Sequence, residues 1–261
     1  MAEFTPTVHN LSLVLYGAAL LVSLVGLGAR SRWGTGAGVA LAWGGLLAQG
    51  GLLVVRWAAV GYLPVTGLFS TLHFLTLWLV GAALYFVHRY RAQPFLPAAL
   101  TLGLAALVMA GRGRMELMPL VPALDTPLFF LHVATSFAAY GLFTAGALVG
   151  MYRALGIPGS RLGQERRMLD ECLYVGYILF SWCMIAGSLW AYLAWGSYWT
   201  WRIKGLWSTV LWFYYSGVIH VRTRPGWQGR PLDLLALVGF GLVLFTFLGL
   251  GLLFETSHPL A

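Results

Sequence analysis

The sequence predicts an all-α, polytopic membrane protein, and its composition is the main reason. Apolar residues make up 59% of the 261 residues, whereas charged residues account for only 9%. The mean hydropathy is +0.79. A helix needs about 20 apolar residues to cross the hydrocarbon core of a bilayer, and the apolar residues of this chain are grouped in runs of about that length. This composition excludes an ordinary water-soluble globular protein.

About eight transmembrane helices are predicted from these runs. In chain order they are Leu11–Ala29, Thr35–Val55, Thr66–Val87, Phe95–Gly111, Pro127–Met151, Cys172–Ala194, Leu206–Val221 and Leu232–Phe254. The fourth and seventh segments are short, so the sequence supports them least. The longest polar stretch, from Arg153 to Asp170, has only the length of a loop. We therefore expect residues 1–261 to form a single integral-membrane domain.

The distribution of basic residues predicts that the N- and C-termini both face the outside. With this orientation, eleven of the 16 basic residues fall in inner loops, and five fall outside: Arg56, Arg112, Arg114, Arg202 and Lys204. An excess of Lys and Arg on the cytoplasmic side is the positive-inside bias of membrane proteins. Topology thus accounts for the net charge of +8, and no nucleic-acid partner is expected. The expected location is a bacterial cytoplasmic membrane.

The most distinctive feature of the chain is the aromatic run WGSYWTW, which follows the sixth predicted span. Trp and Tyr are common at membrane interfaces, so a simple interfacial belt is one interpretation. The density of rings instead favours a platform for a large, flat aromatic ligand. The predicted members of this platform, in and beside the loop of residues 195–207, are Trp190, Trp195, Tyr198, Trp199 and Trp201.

Two histidines are predicted on the same side as the aromatic loop. His132 lies near the outer end of the fifth span, and His258 follows the eighth. Two neutral imidazoles on opposite faces can serve as axial ligands for a metal held in a planar macrocycle. The chain contains no C-x-x-C or C-x-x-C-H sequence, so neither a thiol relay nor covalent haem attachment is expected.

The segment WGSYWTWRIKGLWSTVLWFYYSGVIHVR, which ends at Arg222, resembles the tryptophan-rich signature of the haem-handling cytochrome c assembly proteins. The family pattern reads W-G-x-x-W-x-W-D-P-K-E, then a hydrophobic span, a histidine and a basic residue. The matching residues are Trp195, Gly196, Trp199, Trp201, Lys204, His220 and Arg222. Upstream, LVPALDTPLFFLHVATSFAAYGLF resembles the segment with the family's first external haem-ligating histidine, at His132. The tail GLLFETSHPL resembles the segment with the second, at His258.

This resemblance implies non-covalently bound haem b, with iron ligated by His132 and His258 at an outer site. It also implies an inner site, because His220 matches the family's membrane-embedded histidine, whose partner ligand can come from another subunit. Within this chain, His88 is the other histidine predicted at the same depth. The alternative is that His88 and His220 are interfacial and solvated.

The chain departs from the family pattern after the last tryptophan. Arg202 and Gly205 stand where the pattern has its two acids. Arg202 could pair with a haem propionate, because a guanidinium matches a carboxylate bidentately. Alternatively, Arg202 and Lys204 are interfacial anchors with their stems in lipid. The change leaves the aromatic platform intact, but it puts delivery of haem to apocytochrome or docking of a partner in doubt.

Three functions fit the sequence. In the first, which we expect, the protein binds haem and presents it at the outer face to apocytochrome c, as the membrane subunit of a haem lyase with a second membrane subunit. In the second, a HemX-like protein binds haem and regulates haem synthesis without attaching haem. In the third, a transporter or structural subunit carries an aromatic belt and no haem. Haem absorbance after purification would exclude the third function.

Overall fold

The computed structural model describes residues 3–117, 119–157 and 163–249, and these residues form an all-helical chain. Its α-helices are α1 Phe4–Gly28, α2 Arg32–Val60, α3 Gly67–Tyr90, α4 Phe95–Ala110, α5 Pro127–Ala154, α6 Glu165–Trp195, α7 Ile203–Val221 and α8 Arg230–Leu244. The chain continues from α8 as a π-helix, Phe245–Gly249. Each predicted span therefore overlaps one helix, and the last five residues of the eighth span lie outside the described residues.

Six helices in the described part of the chain are long and apolar enough to cross a membrane. They are α1, α2, α3, α5, α6 and α8 with its π-helical extension. The other two are α4, with 16 residues, and α7, with 19. These two correspond to the segments that the sequence supports least. The all-α class and the polytopic membrane character are confirmed.

Local sequence signals explain several helix boundaries. The side chains of Ser31 and Thr126 cap α2 and α5, each accepting a hydrogen bond from the backbone N–H three residues ahead. Pro127 then occupies the first position of α5, where a missing N–H is no loss. Gly61 ends α2 with φ +76, the left-handed conformation that glycine adopts without steric cost.

The helices form two compact units. Helices α1 to α4 make up the first unit, and α5 to α8 make up the second, apart from the first two residues of α6. In the first unit, α1 and α2 approach closely at Gly45, where a Cβ atom would lie 2.5 Å from the Tyr16 ring. Small residues permit such close helix packing without an aqueous hydrophobic driving force.

In the second unit, α5 and α8 run antiparallel. Arg153 near the end of α5 pairs with Asp233 in the first turn of α8, with an N–O distance of 2.6 Å. At the other end of α8, the ring of Phe247 lies 5.2 Å from that of Phe137 in α5. The start of α5 and the end of α8 therefore lie at the same end of this unit. The end of α6 lies there as well, because the ring of Trp190 is 5.1 Å from that of Phe129.

Arg153→Ala is expected to destabilise the second unit by about 3–5 kcal/mol, because it leaves a buried carboxylate without its partner. The Asp233 side chain is only 3% exposed. Denaturant unfolding of the detergent-solubilised protein would measure the loss. Arg222→Ala is the matched control, since its partner Asp170 is 20% exposed and should tolerate the change better. Equal losses in both variants would contradict this account of α5–α8 packing.

Candidate functional site

The ring of His132 is oriented by a hydrogen bond to the neighbouring helix. His132 lies in the second turn of α5, and its Nδ1 is 2.9 Å from the backbone carbonyl oxygen of Cys183 in α6. A carbonyl only accepts, so Nδ1 carries the proton and donates it. In the neutral ring, Nε2 then keeps its lone pair. Metal-binding histidines commonly have such a second bond, which fixes both the tautomer and the ring orientation.

The backbone of α6 provides the space for this ring. A Cβ atom at Gly187 would lie 2.5 Å from Nδ1 of His132 and 2.9 Å from its Cε1. A side chain at this position would therefore collide with the imidazole. Gly187 comes one turn after Cys183, so the same stretch of α6 supplies both the acceptor and the gap.

An aromatic cluster connects His132 to the tryptophan-rich loop. The ring of Trp190 is stacked with that of His132, at 6.0 Å between centroids and 22° between planes. Trp190 also lies 5.1 Å from Phe129 and 4.8 Å from Trp195. Its indole N–H donates to the carbonyl of Ala123 at 2.6 Å. Trp190 is buried, so it supports the cluster rather than presenting an open ring face.

The loop after α6 exposes large ring surfaces. Trp201 is 77% exposed, and Trp195 and Tyr198 are 52% exposed. Tyr198 stacks on Tyr192 at 4.3 Å with nearly parallel planes, and Trp199 meets Trp201 edge to face at 6.3 Å. Exposed apolar surface of this kind marks a ligand-binding or membrane-contacting region. The geometry is compatible with both the platform and the interfacial belt.

The predicted partner ligand, His258, lies outside the described residues. The last described segment, the π-helix Phe245–Gly249, belongs to the end of the second unit that contains His132. Its Phe247 contacts Phe137 and Tyr140 of α5, at 5.2 and 6.2 Å. His258 follows Gly249 by nine residues.

The structure places His220 at the opposite end of the second unit. His220 is exposed in the last turn of α7. The nearby Arg222 makes a bidentate ion pair with Asp170, at 2.5 and 2.9 Å, and also donates to the hydroxyl of Tyr174. Hydrogen bonding to Asp170 raises the pKa of the Arg222 guanidinium. The charge of Arg222 is therefore already neutralised by a carboxylate of this chain.

His88 and Arg202 are both at exposed positions. His88 lies in the last turn of α3, and the indole N–H of Trp43 donates to its Nε2 at 3.0 Å. Nε2 of His88 then acts as the acceptor and Nδ1 carries the proton, so this tautomer has no free lone pair for iron. Arg202 directly precedes α7 and is exposed at the aromatic loop.

Two features of the structure are not evident from the sequence. One is the support of His132 by Cys183 and Gly187, which requires knowing how α5 and α6 are aligned. The other is a buried polar cluster in the first unit, which includes Gln49 and Arg56. These two polar residues lie seven positions apart in the apolar α2, and that helical spacing was the available signal.

Comparisons with known proteins identify relatives over most of the chain. A family model described as cytochrome C assembly protein matches residues 65–258. The cytochrome c biogenesis protein CcsA of Synechococcus sp. strain CC9311 is 30% identical over 245 residues, covering 77% of this chain and 80% of that protein. CcsA of Prochlorococcus marinus strain AS9601 is 28% identical over 239 residues, or 77% of both chains. CcsA of Parasynechococcus marenigrum strain WH8102 is 29% identical over 240 residues, covering 77% and 78%.

Gly187→Ala is expected to displace the His132 ring and to destabilise the protein by about 1–3 kcal/mol, the usual range for an overpacked site. Thermal unfolding in detergent would measure this effect. Gly217→Ala in α7 is the matched control, because nothing lies within 4 Å of a Cβ atom at that position. If both alanine variants unfold like the unsubstituted protein, the His132 ring does not pack closely against α6 at Gly187.

Proposed function

Because the chain belongs to the cytochrome c assembly protein family, we propose that it binds haem in the membrane and presents it at the outer face for attachment to apocytochrome c. The observation that carries the proposal is the geometry of His132. Its Nδ1–H is held by the Cys183 carbonyl, which leaves Nε2 to ligate iron beside an exposed aromatic loop. The printed names of the relatives, cytochrome c biogenesis proteins, agree with this role.

The proposed topology has eight spans with both termini outside, in a bacterial cytoplasmic membrane. The charges of the second unit support it. Arg153, Arg222, Arg224 and Arg230 lie at the end away from His132, whereas the end with His132 has Arg202 and Lys204. The positive-inside rule then assigns the end with His132 to the outer face.

At the proposed outer site, His132 and His258 would hold the iron of haem b. Nine residues of chain can span up to about 30 Å when extended, so a ligand at position 258 is within reach of the His132 end. Trp195, Trp199 and Trp201 provide ring faces for the macrocycle. Arg202, exposed beside them, is placed to meet a propionate.

The part of this chain in the reaction is to hold and orient haem. The thiols of the apocytochrome supply the nucleophiles, and haem supplies the groups with which they react. No side chain of this protein has to form a bond with the substrate. The chain therefore acts as the haem-presenting subunit of a lyase, together with a second membrane subunit.

A HemX-like protein that regulates haem synthesis is the second candidate function. The absence of the two acids of the family pattern, at Arg202 and Gly205, favours it. Deletion of the gene separates the two functions. Loss of mature c-type cytochromes supports the lyase subunit, whereas normal cytochromes with altered haem synthesis support the regulator.

His132→Ala and His258→Ala are each expected to reduce the haem that remains after purification, since each removes one axial ligand. Added imidazole should restore part of it by replacing the lost ring. The visible absorbance per protein measures the effect. Gly217→Ala is the control, because a Cβ atom at that position has nothing within 4 Å and the contacts of His132 are retained. An unchanged haem spectrum in the His132/His258 double variant would contradict the ligand assignment.

The same double variant tests the inner site that we propose at His220. If that site exists in the isolated chain, the double variant keeps substoichiometric haem under haem-replete expression, and a further His220→Ala substitution removes it. A double variant without any haem rules out an inner site formed by this chain alone.

Trp199→Ala is expected to cost about 1–3 kcal/mol of haem affinity if burial of apolar ring surface carries the interaction. Haem titration of the stripped protein measures the difference. Trp33→Ala is the control, since Trp33 is 91% exposed in the first unit and outside the aromatic loop. If Trp199→Ala alters only expression or membrane insertion, the loop is an interfacial belt.

A further inference from the structure

The first unit contains a buried cation, Arg56, for which the described residues supply no anionic partner. Arg56 lies in α2, one turn before its end, and is only 3% exposed. Its hydrogen bonds go to the Met115 carbonyl at 2.7 Å and to the hydroxyls of Thr5 and Ser70 at 3.4 and 3.5 Å. These acceptors are all neutral, and neither ion pair in the described ranges includes Arg56. Burying a charge in a membrane protein is costly unless it is paired, so such a residue indicates a functional site.

Arg56 lines a small cleft between α2 and α3. The cleft has a volume of about 20 Å³ and is partly open. Its polar lining consists of Arg56, Ser70, His73 and Gln49, and leucine and phenylalanine side chains form much of the remainder. A volume of this size accommodates a water molecule or one oxygen-bearing group, but not a macrocycle.

The polarity of the cleft changes along the helices. Arg56 and Ser70 lie within one turn of the ends of α2 and α3 that the 61–66 connection joins. Leu52 lies one turn deeper on α2, and Leu77 lies about 10 Å beyond Ser70 along α3 at 1.5 Å per residue. The charged residue of the lining is thus near the helix termini. The deeper lining is uncharged, and its polar members Gln49 and His73 are hydrogen-bonded within the protein. A single-chain lipid with an anionic head has the same arrangement in a bilayer.

A hydrogen-bonded network fixes the back of the cleft. The Tyr16 hydroxyl donates to Gln49 Oε1 at 2.8 Å, and Gln49 Nε2 donates to the His73 carbonyl at 2.9 Å. The same Nε2 lies 3.3 Å from His73 Nδ1, which therefore accepts. His73 Nε2–H then donates to Nδ1 of His9 at 2.9 Å. With these neutral groups satisfied by one another, the charge of Arg56 remains for a ligand.

Arg56 itself is held in a defined position. Its guanidinium lies 5.1 Å from the ring centroid of Phe69, and that ring packs at 4.4 Å on His73. The hydrogen bonds described above use NH1 twice and NH2 once. A guanidinium has five N–H donors, so donors remain for a carboxylate.

We propose that this cleft binds the carboxylate end of a fatty acid from the membrane, with Arg56 as its charge partner and the leucines contacting its chain. Three of the polar residues concerned, Gln49, Arg56 and His9, precede the region matched by the family model, which begins at residue 65. The proposal does not depend on haem binding elsewhere in the chain.

The test uses the purified full chain in a non-ionic detergent with radiolabelled oleate. We expect saturable binding of oleate, and about tenfold or greater weakening in Arg56→Gln, as for loss of a charge-assisted hydrogen bond. Methyl oleate should compete at least about tenfold less well than oleate, because it lacks the charge. Arg112→Gln is the matched control and should bind like the unsubstituted protein, since Arg112 is exposed just after α4.

A second variant keeps the test decisive if Arg56→Gln does not fold. Leu53 also lines the cleft. Leu53→Trp fills its apolar part and leaves Arg56 in place, so it should also weaken oleate binding by about tenfold. Unchanged oleate binding in Arg56→Gln or in Leu53→Trp would overturn the proposal. Equal competition by acetate and oleate would also overturn it, because the site would then take a small anion rather than an amphiphile.

Discussion

The hydrogen bond from His132 to the carbonyl of Cys183 connects the helix packing of the second unit to its proposed chemistry. It exists because Gly187 lets the imidazole lie against the backbone of α6. It also selects the nitrogen that can ligate a metal, since Nδ1 carries the donated proton. Trp190 then packs on the same ring and extends the contact to the exposed loop. Ligand orientation and aromatic surface thus depend on one helix–helix contact.

The membrane imposes the second constraint, which is that polar groups in the spans need partners within the protein. Asp233 meets this requirement through Arg153, and Asp170 does so through Arg222. Hydrogen bonds to neutral groups satisfy this requirement for Tyr16, Gln49 and His73. Arg56 differs because its contacts satisfy hydrogen bonds but do not neutralise its charge. In a low-dielectric environment an unneutralised charge is energetically costly. An anion bound in the cleft beside Arg56 would reduce that cost.

The sequence predicted the helices well because their apolar runs have the length that a bilayer requires. Helix ends moved by several residues where capping decided them, as at Ser31, which starts α2 three residues before the predicted span. The two weakest segments became the two helices that are not both long and apolar enough to cross a membrane. The sequence also identified His132 and the aromatic loop, because their residue types are rare in such spans. It could not show that Gly187 makes room for His132, or that Arg56 and His73 line one cleft. Those relations depend on the rotation and alignment of neighbouring helices, which composition and spacing do not determine. The position of His258 relative to His132 remains a prediction.

Optical and magnetic spectroscopy of the protein purified from haem-replete cells tests most directly whether two histidines ligate haem. Visible absorption combined with electron paramagnetic resonance identifies the axial ligands of any bound haem. We expect low-spin haem with two imidazole ligands, bound non-covalently and extractable by acidified organic solvent. A protein that purifies without haem under these conditions, or with haem ligated by groups other than imidazole, would contradict this ligand assignment.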